Sequence, residues 1–423
     1  MPRRVVITGL GPVTPIGIGK TAFWDALTRG ESGADRVDDL IDLTGIDVLI
    51  GCPIRSFDPK NYMDPKRARR LDRSTQFAIA AASLAVSDAG IDPVVLSDDR
   101  TGVVAGTGIG GLETLEENLE TIREKGARRI SPFFVPRMMP NASAGEVSIE
   151  HGLRGVNFGV VSACASGAHA IALSYELILS GLLDRALAGG SEAVLRPVTY
   201  AGFARIGAVS KRNDEPKRAS RPFDRDRDGF VMGEGAGYLV IESLESAAER
   251  GAHIYAEIVG SGMTGDASHI TAPCEDGDGA YRAMRMAIER AGLQPDDIQY
   301  VNAHGTSTQL NDKAETIAVK RALGDVAHRV KISSTKSQTG HLIGAAGSVE
   351  AIATVLSMEN GFIPATLNYE NPDPDCDLDY TPESLTQPIR IALSNSFGFG
   401  GQNACLAFVR EDAESDDSRR QPH

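Results

Sequence analysis

From Val160 to Tyr175 the chain reads Val-Val-Ser-Ala-Cys-Ala-Ser-Gly-Ala-His-Ala-Ile-Ala-Leu-Ser-Tyr, a stretch that few positions in a protein can accommodate. Residues 158–161 are a short apolar, partly β-branched run and read as a buried strand. The segment then turns helical, with small residues at almost every position, and finds a natural stop near Gly181. A helix with so little bulk and charge is hard to place on a surface and fits a central position against other backbone. Cys164 sits where strand becomes helix. Free backbone N–H groups and the positive end of the helix dipole meet at such a turn, and both favour a thiolate. A thiolate beside N–H groups aimed at an adjacent oxyanion is the minimal apparatus of acyl transfer. Taken alone, the stretch also admits a buried structural cysteine, which behaves as a small hydrophobe.

The organisation starts again from about Gly251. Residues 254–259 with Gly260-Ser261-Gly262 echo residues 5–11. Residues 298–301, followed by Asn302-Ala303-His304-Gly305-Thr306, echo residues 101–106. Residues 330–333, followed by the small-residue stretch 340–347, echo the Cys164 strand and its helix, and residues 404–409 echo 238–242. Identity is low, so the order of elements carries the case. At 423 residues the chain exceeds the size at which one core stops growing. Two similar α/β halves, residues 1–250 and 251–410, would gather their strand ends and glycine turns around a shared cleft. The polar tail, residues 411–423, is expected to be disordered.

A net charge of -14 argues against broad nucleic-acid or anionic-membrane binding. Five cysteines without close pairs make no disulfide framework and fit a reducing cytosol, so a cytoplasmic location is expected. The apolar run after Arg3 and Arg4 is too short for a signal-peptide core, and no run reaches the length of a membrane span. Gly9-Leu10-Gly11-Pro12 lacks the third glycine of a dinucleotide-binding turn, and Gly233-Glu234-Gly235 lacks a phosphate-binding context and reads as close packing. Lys66, Arg67, Arg69, Arg70 and Arg73 form a basic cluster leading into a helix over 76–89. On an acidic protein this is a dock for an acidic partner or a solvated helix face.

Three motifs fall at strand ends: Ala163-Cys164-Ala165-Ser166-Gly167, residues 302–308, and Lys336-Ser337-Gln338-Thr339-Gly340-His341. Two histidines flanked by glycine on presumed turns, with a cysteine on a matching turn, form a constellation. Neutral imidazoles can donate hydrogen bonds to a developing enolate oxygen and move protons near neutral pH. A Cys-His-His zinc site is the competing reading, but the spacing is not that of zinc ligands.

These residues carry a specific resemblance. Ser162-Ala163-Cys164-Ala165-Ser166-Gly167, residues 301–308, residues 335–347 and Asn395-Ser396-Phe397-Gly398-Phe399-Gly400-Gly401 resemble the motifs of the β-ketoacyl-[acyl-carrier-protein] synthases, closest to the elongating synthase II type, and the likeness runs from about residue 4 to 409. The resemblance implies an α/β thiolase fold, two similar halves in a five-layer αβαβα sandwich, assembled as a homodimer. It implies a decarboxylating condensation of an acyl chain with malonyl-carrier protein. Cys164 would take the acyl chain, while His304 and His341 would hold the malonyl thioester oxygen, supported by Lys336 and Glu350. The N–H groups of Cys164 and Phe399 would form the oxyanion hole, with Phe399 as a mobile gate. Thr306 and Thr308 would contact pantetheine. Ile109, Phe203 and Ile343 would line the acyl tunnel, and Phe134 would reach the partner subunit's pocket. No cofactor would be required, though Asn302, Ala303, Glu350, Ser394 and Asn395 match positions that hold a structural monovalent cation in some relatives. The acidic carrier protein would dock at Lys66, Arg69 and Arg70.

The sequence departs from the family pattern at four places. Ala165 replaces a common Thr. Gly207 stands where a carrier-binding Arg is usual, with Arg205 two residues earlier. Thr199 replaces a Gly near the pocket, and Gln402 a Thr beside the gate. Other functions remain to be weighed: a non-catalytic chain-length partner, which would lack Cys164; a ketosynthase of a type II polyketide pathway; a nicotinamide enzyme resting on Gly9-Leu10-Gly11; and a degradative thiolase, for which Cys405 is the nearest second cysteine.

Overall fold

The structure is a computed structural model and describes residues 3–410; the tail at 411–423 lies outside them. Ten strands carry the fold. The first half contributes β1 (Val5–Thr14), β2 (Thr101–Gly106), β3 (Asn157–Val160), β4 (Arg185–Glu192) and β5 (Gly235–Ser243). The second contributes β6 (Ala256–Gly265), β7 (Tyr300–Asn302), β8 (Lys331–Ser333), β9 (Ile391–Gly398) and β10 (Gln402–Val409). The first five lie in the order β3-β2-β4-β5-β1 and the second five in the order β8-β7-β9-β10-β6. These orders correspond strand for strand. In each set the outer three strands run parallel and the other two pairings are antiparallel. The sets join where β1 pairs antiparallel with β6, Val5 opposite Ile258 and Ile7 opposite Ala256. The repeat read in the sequence is therefore a duplicated sheet topology.

Five helices complete the layers: α1 (Arg73–Ala89), α2 (Ser166–Leu179), α3 (Asp278–Arg290), α4 (Gln309–Leu323) and α5 (Ala346–Asn360). A central core joins Ile171 of α2 and Ile352 of α5 to Ile7, Ile241 and Leu406 from both sheet halves. One outer core packs α1 on β2 and β5 through Phe77, Val103 and Val240. The other packs α3 and α4 on β7, β9 and β10 through Met284, Val319, Val301, Leu393 and Cys405. The result is a helix, sheet, helix, sheet, helix sandwich. The small residues have a direct geometric reason. A Cβ on Gly167 would lie 2.9 Å from the Ser348 nitrogen, and one on Gly347 would lie 2.9 Å from the Ala168 nitrogen, so α2 and α5 cross almost backbone to backbone.

Gly9 and Gly11 serve the same purpose. Their missing Cβ atoms would fall 2.3 and 1.9 Å from carbonyls of α1, and those of Gly260 and Gly262 fall 2.3 and 1.9 Å from carbonyls of α3. The paired glycines let an outer helix lie on the sheet, which leaves no room for a nucleotide at Gly9-Leu10-Gly11. One expectation fails. The strand before Cys164 is not buried: β3 is an edge strand flanked only by β2, and Phe158 and Val161 are 36% and 53% exposed. Its apolar run looks like a core strand because sequence alone does not report which strand ends the sheet.

Candidate active site

After β3 the chain makes a strained turn. Ala163 has a φ of 49°, a conformation that costs an alanine of the order of 1–3 kcal/mol and persists only where its surroundings enforce it. Ser166 supplies that enforcement. Its hydroxyl accepts from the Ser162 N–H (2.9 Å) and lies 2.7 and 3.0 Å from the carbonyls of Ala163 and Thr107. A single 3-10 turn, Ala163–Ala165, then leads into α2 and holds Cys164 at the edge of a cavity. The turn between β9 and β10 lies directly over this elbow. A Cβ on Gly398 would meet the Ser162 oxygen at 2.7 Å and the Cys164 nitrogen at 3.2 Å, so glycine is required there. This contact brings the Phe399 N–H onto the Cys164 sulfur, beside the N–H of Cys164 itself.

The thiol is not a resting thiolate, contrary to what its place at a helix start implies. Burial pushes it up to about 11, against the pull of the Lys336 charge and the Phe399 N–H. Desolvation of the anion is the largest influence on the thiol, ahead of the charge and hydrogen bond that favour its ionisation.

His304 and His341 stand next to each other in the same cavity, edge to face, ring centroids 5.5 Å apart and planes at 85°. Burial lowers both well below the usual histidine range, and the Lys336 charge lowers them further, so both are neutral. Lys336 also fixes one tautomer. Its ammonium, 1% exposed, has three protons and three acceptors: the His304 carbonyl (2.6 Å), the His304 Nδ1 (3.2 Å) and a Glu350 oxygen. An acceptor Nδ1 places the ring proton on Nε2, the nitrogen left for substrate. His341 Nδ1 is buried without a hydrogen-bond partner, and the role proposed below takes the Nε2–H tautomer of this ring. The backbone of His304 is held by Glu315 of α4, which accepts the N–H groups of His304 (2.8 Å) and Gly305 (2.7 Å). Burial raises Glu315 and Glu350 to about 7 each, against the hydrogen bonds and charge that oppose it.

The cavity holds about 410 Å³. It gathers Cys164, His304, His341 and Phe399 with Ile109, Phe203, Ile343, Thr306 and Thr308. The Phe399 ring lies 6.4 Å from that of Phe203, as a gate over an apolar wall would. Thr306 and Thr308 face each other at 3.0 Å, and Arg227 braces the second by donating to its carbonyl. Lys336 and Glu350 stand behind the wall and act through His304. One expected neighbour is absent from it: Thr199 turns its hydroxyl to the Arg196 carbonyl. Phe134, expected to reach a partner's pocket rather than this one, is half-buried in a turn of helix, Phe134–Met138. Gly207 lines the mouth, while Arg205 is exposed beside it. Glu315 was missed by sequence reasoning; its only signal is an acidic residue on the helix that follows the His304 turn.

Within the basic cluster the structure separates two roles. Arg67 pairs with Glu146 (2.8 Å) and Glu150, and Arg73 with Glu234 (2.7 Å). Lys66, Arg69 and Arg70 are exposed and have no carboxylate partner among the described residues. The Arg70 guanidinium lies over the Phe133 ring at 5.0 Å.

Some of the positions matched to a cation site offer suitable oxygens. Asn302 Oδ1, Glu350 Oε2 and the neighbouring Ser396 Oγ are buried without a hydrogen-bond partner. Asn302 is level with Ser394 in the β7–β9 register, and Ser396 Oγ closes on Gly347, one turn before Glu350. An all-oxygen set with one carboxylate suits a hard cation. Ala303 could contribute only its carbonyl, while Asn395, whose Nδ2 donates to Glu315, also has a buried Oδ1 without a partner.

Comparison with known proteins agrees with this geometry. The family models described as beta-ketoacyl synthase, N-terminal domain and C-terminal domain match residues 2–247 and 255–370. The chain is 48% identical over 409 residues to the 3-oxoacyl-[acyl-carrier-protein] synthase 2 of Synechocystis sp., covering 96% of this chain and 98% of the relative. A beta-ketoacyl synthase structure from Burkholderia phymatum superposes with a TM-score of 0.91 at 39% identity, covering 97% of this chain and all of the other. A type II PKS ketosynthase, solved in complex with its acyl-carrier protein, superposes with a TM-score of 0.89 at 34% identity and the same coverage. The chain belongs to the β-ketoacyl synthase family and has its thiolase fold.

The raised thiol gives a direct prediction. Alkylation of Cys164 by iodoacetamide should accelerate steadily from about pH 7 to 9, as expected for a thiol still protonated across that range. A rate that has already levelled off below pH 7 would show a preformed thiolate.

Proposed function

We propose that this chain catalyses the decarboxylating condensation of fatty-acid elongation, as a 3-oxoacyl-[acyl-carrier-protein] synthase of the second type. The observation that carries the proposal is one cavity holding a cysteine under two backbone N–H groups and two neutral imidazoles. Cys164 sulfur attacks the acyl thioester, its proton passing to the departing carrier sulfur, and the tetrahedral oxyanion is held by the N–H groups of Cys164 and Phe399. The carrier thiol leaves and the acyl chain stays on Cys164, its tail against Ile109, Phe203 and Ile343. Malonyl-carrier protein then binds with its thioester oxygen between the two Nε2–H groups. Carbon dioxide leaves, the enolate oxygen takes up the negative charge, and the two donors stabilise it. The enolate carbon attacks the acyl carbonyl, whose oxyanion occupies the same pair of N–H groups. Collapse expels the Cys164 thiolate and the β-ketoacyl product.

The aliphatic and aromatic wall suits an alkyl chain better than the oxygen-rich chain of a polyketide, which favours fatty-acid elongation over the second reading. Exposed Phe158 and Val161 on the open edge of β3 support a homodimer formed along that edge. In such a dimer Phe134 would serve the partner's pocket. Lys66, Arg69 and Arg70 would receive the acidic carrier protein. A monovalent cation beside Glu350 would add a fixed positive charge behind His304, held by Asn302, Glu350 and backbone carbonyls. Chemistry of this kind, with carrier-bound substrates, supports a cytoplasmic location.

Intact-protein mass spectrometry with acyl-carrier proteins should show one acyl group on the wild type and none on Cys164→Ala. His304→Ala and His341→Ala should each lower malonyl decarboxylation by roughly a hundred- to a thousandfold, the usual loss for one such donor, and lower Cys164 acylation far less. Equal losses in both half-reactions would contradict the assigned roles. Reversing charge at Lys66, Arg69 and Arg70 together should raise KM for carrier-protein substrates several-fold at low salt and leave KM for short pantetheine thioesters in place. Unaltered carrier-protein kinetics would return the cluster to a solvated surface.

A further inference from the structure

Glu192 is fully buried at the end of β4, and the mechanism above does not use it. Both of its oxygens are occupied. Oε2 accepts the N–H groups of Gly108 (2.6 Å) and Gly344 (3.0 Å), and Oε1 accepts the Thr107 hydroxyl (3.1 Å) and the Ile109 N–H (3.3 Å). These donors come from both halves of the molecule. Two of the residues involved, Gly108 and Ile109, line the cavity, and Gly344 follows directly on the lining residue Ile343.

The duplication explains why a carboxylate belongs there. Ala163 and Ile343 are counterparts: both have left-handed φ, 49° and 46°, and both open a 3-10 turn that leads into a central helix. Cys164 and Gly344 are therefore equivalent positions. In the first half the N–H of that position faces a transient oxyanion. In the second it faces the side chain of Glu192, a fixed part of the protein, which burial raises to about 7 against the hydrogen bonds it accepts. Space allows nothing bulkier: a Cβ on Gly344 would lie 2.2 Å from the Gly108 nitrogen and 2.6 Å from the Glu192 carboxylate, and one on Gly108 would lie 2.8 Å from Ile343.

We infer that Glu192 is a positioning residue for acyl-chain length, binding the Gly108-Ile109 turn of the first half to the Ile343-Gly344 turn of the second so that the far wall of the acyl cavity is held at one width. This inference rests on the reading of the cavity as the acyl site. Without the carboxylate, four donors lose their acceptor and the two turns are free to separate or to shift. A short acyl chain ends before Ile109 and depends little on that wall. A long chain runs along it and depends on it strongly.

The test is the rate of Cys164 acylation by carrier proteins bearing a four-carbon and a sixteen-carbon chain, in the full-length wild type, Glu192→Gln, Glu192→Ala and Thr107→Val. Alkylation by iodoacetamide, which needs no long wall, is the reference for changes at Cys164 itself, whose thiol the Glu192 charge also raises; the long-to-short ratio cancels that effect, because both chains load onto the same thiol. Glu192→Ala should shift the long-to-short rate ratio by about tenfold against the wild type, the scale of one buried hydrogen bond lost. Glu192→Gln keeps the size and one acceptor oxygen, so its ratio should fall between the two. Thr107→Val removes one donor and should move the ratio slightly in the same direction. An unchanged ratio in all three variants, or a loss shared equally by both chains and by iodoacetamide, overturns the inference. A wild type that loads neither chain overturns the reading of the site as well.

Discussion

A buried ammonium has to find an acceptor for each of its three protons or the fold does not tolerate it. Lys336 finds them on the His304 carbonyl, the His304 ring and Glu350, and the chemistry of the cavity follows from that distribution. The ring of His304 is turned one way, its proton sits on the far nitrogen, and burial, reinforced by the positive charge alongside, keeps both imidazoles neutral. A neutral donor can hold an enolate oxygen without surrendering its proton and quenching the carbanion. The same charge opposes the burial that raises the Cys164 thiol. One side chain therefore tunes both half-reactions while touching neither substrate.

The second organising constraint is the close approach of backbones. The elbow at Cys164, the turn at Gly398 and the crossing of α2 with α5 each place main-chain atoms where a Cβ would collide. This is what aims N–H groups at a chosen point, because rigid main chain directs a dipole better than a flexible side chain does. The duplicated fold makes two such points. One is left open at Cys164 for a charge that comes and goes. The other, at Gly344, is filled by Glu192 and turned to holding the wall.

Much of this was legible in the sequence because it depends on local pattern. The small residues from Cys164 to Leu173, and their echo near Gly344, announced a central helix pair. The glycine pairs at Gly9 and Gly260 marked the start of each half. The motifs around Cys164, His304 and His341 named side chains that the fold gathers in one cavity. What stayed hidden depends on distant contacts or on competing energies. The exposure of Phe158 follows from β3 being at an edge. The separation of Arg67 and Arg73 from Lys66, Arg69 and Arg70 follows from where Glu146, Glu150 and Glu234 arrive. The raised thiol of Cys164 follows from burial, which outweighs the Lys336 charge and the Phe399 N–H. Glu192 and Glu315 act through backbone N–H groups, which no residue pattern shows.

The claim on which the rest depends is that His304 and His341 are neutral and carry their protons on Nε2. Ring nitrogen chemical shifts of 15N-histidine-labelled protein, assigned by comparison with the single histidine variants, report tautomer and charge directly. The account predicts two rings in the neutral Nε2–H form from about pH 5 to 8, without titration, because burial and Lys336 hold both well below the usual histidine range. An imidazolium signal, or an Nδ1–H tautomer at His304, would contradict it.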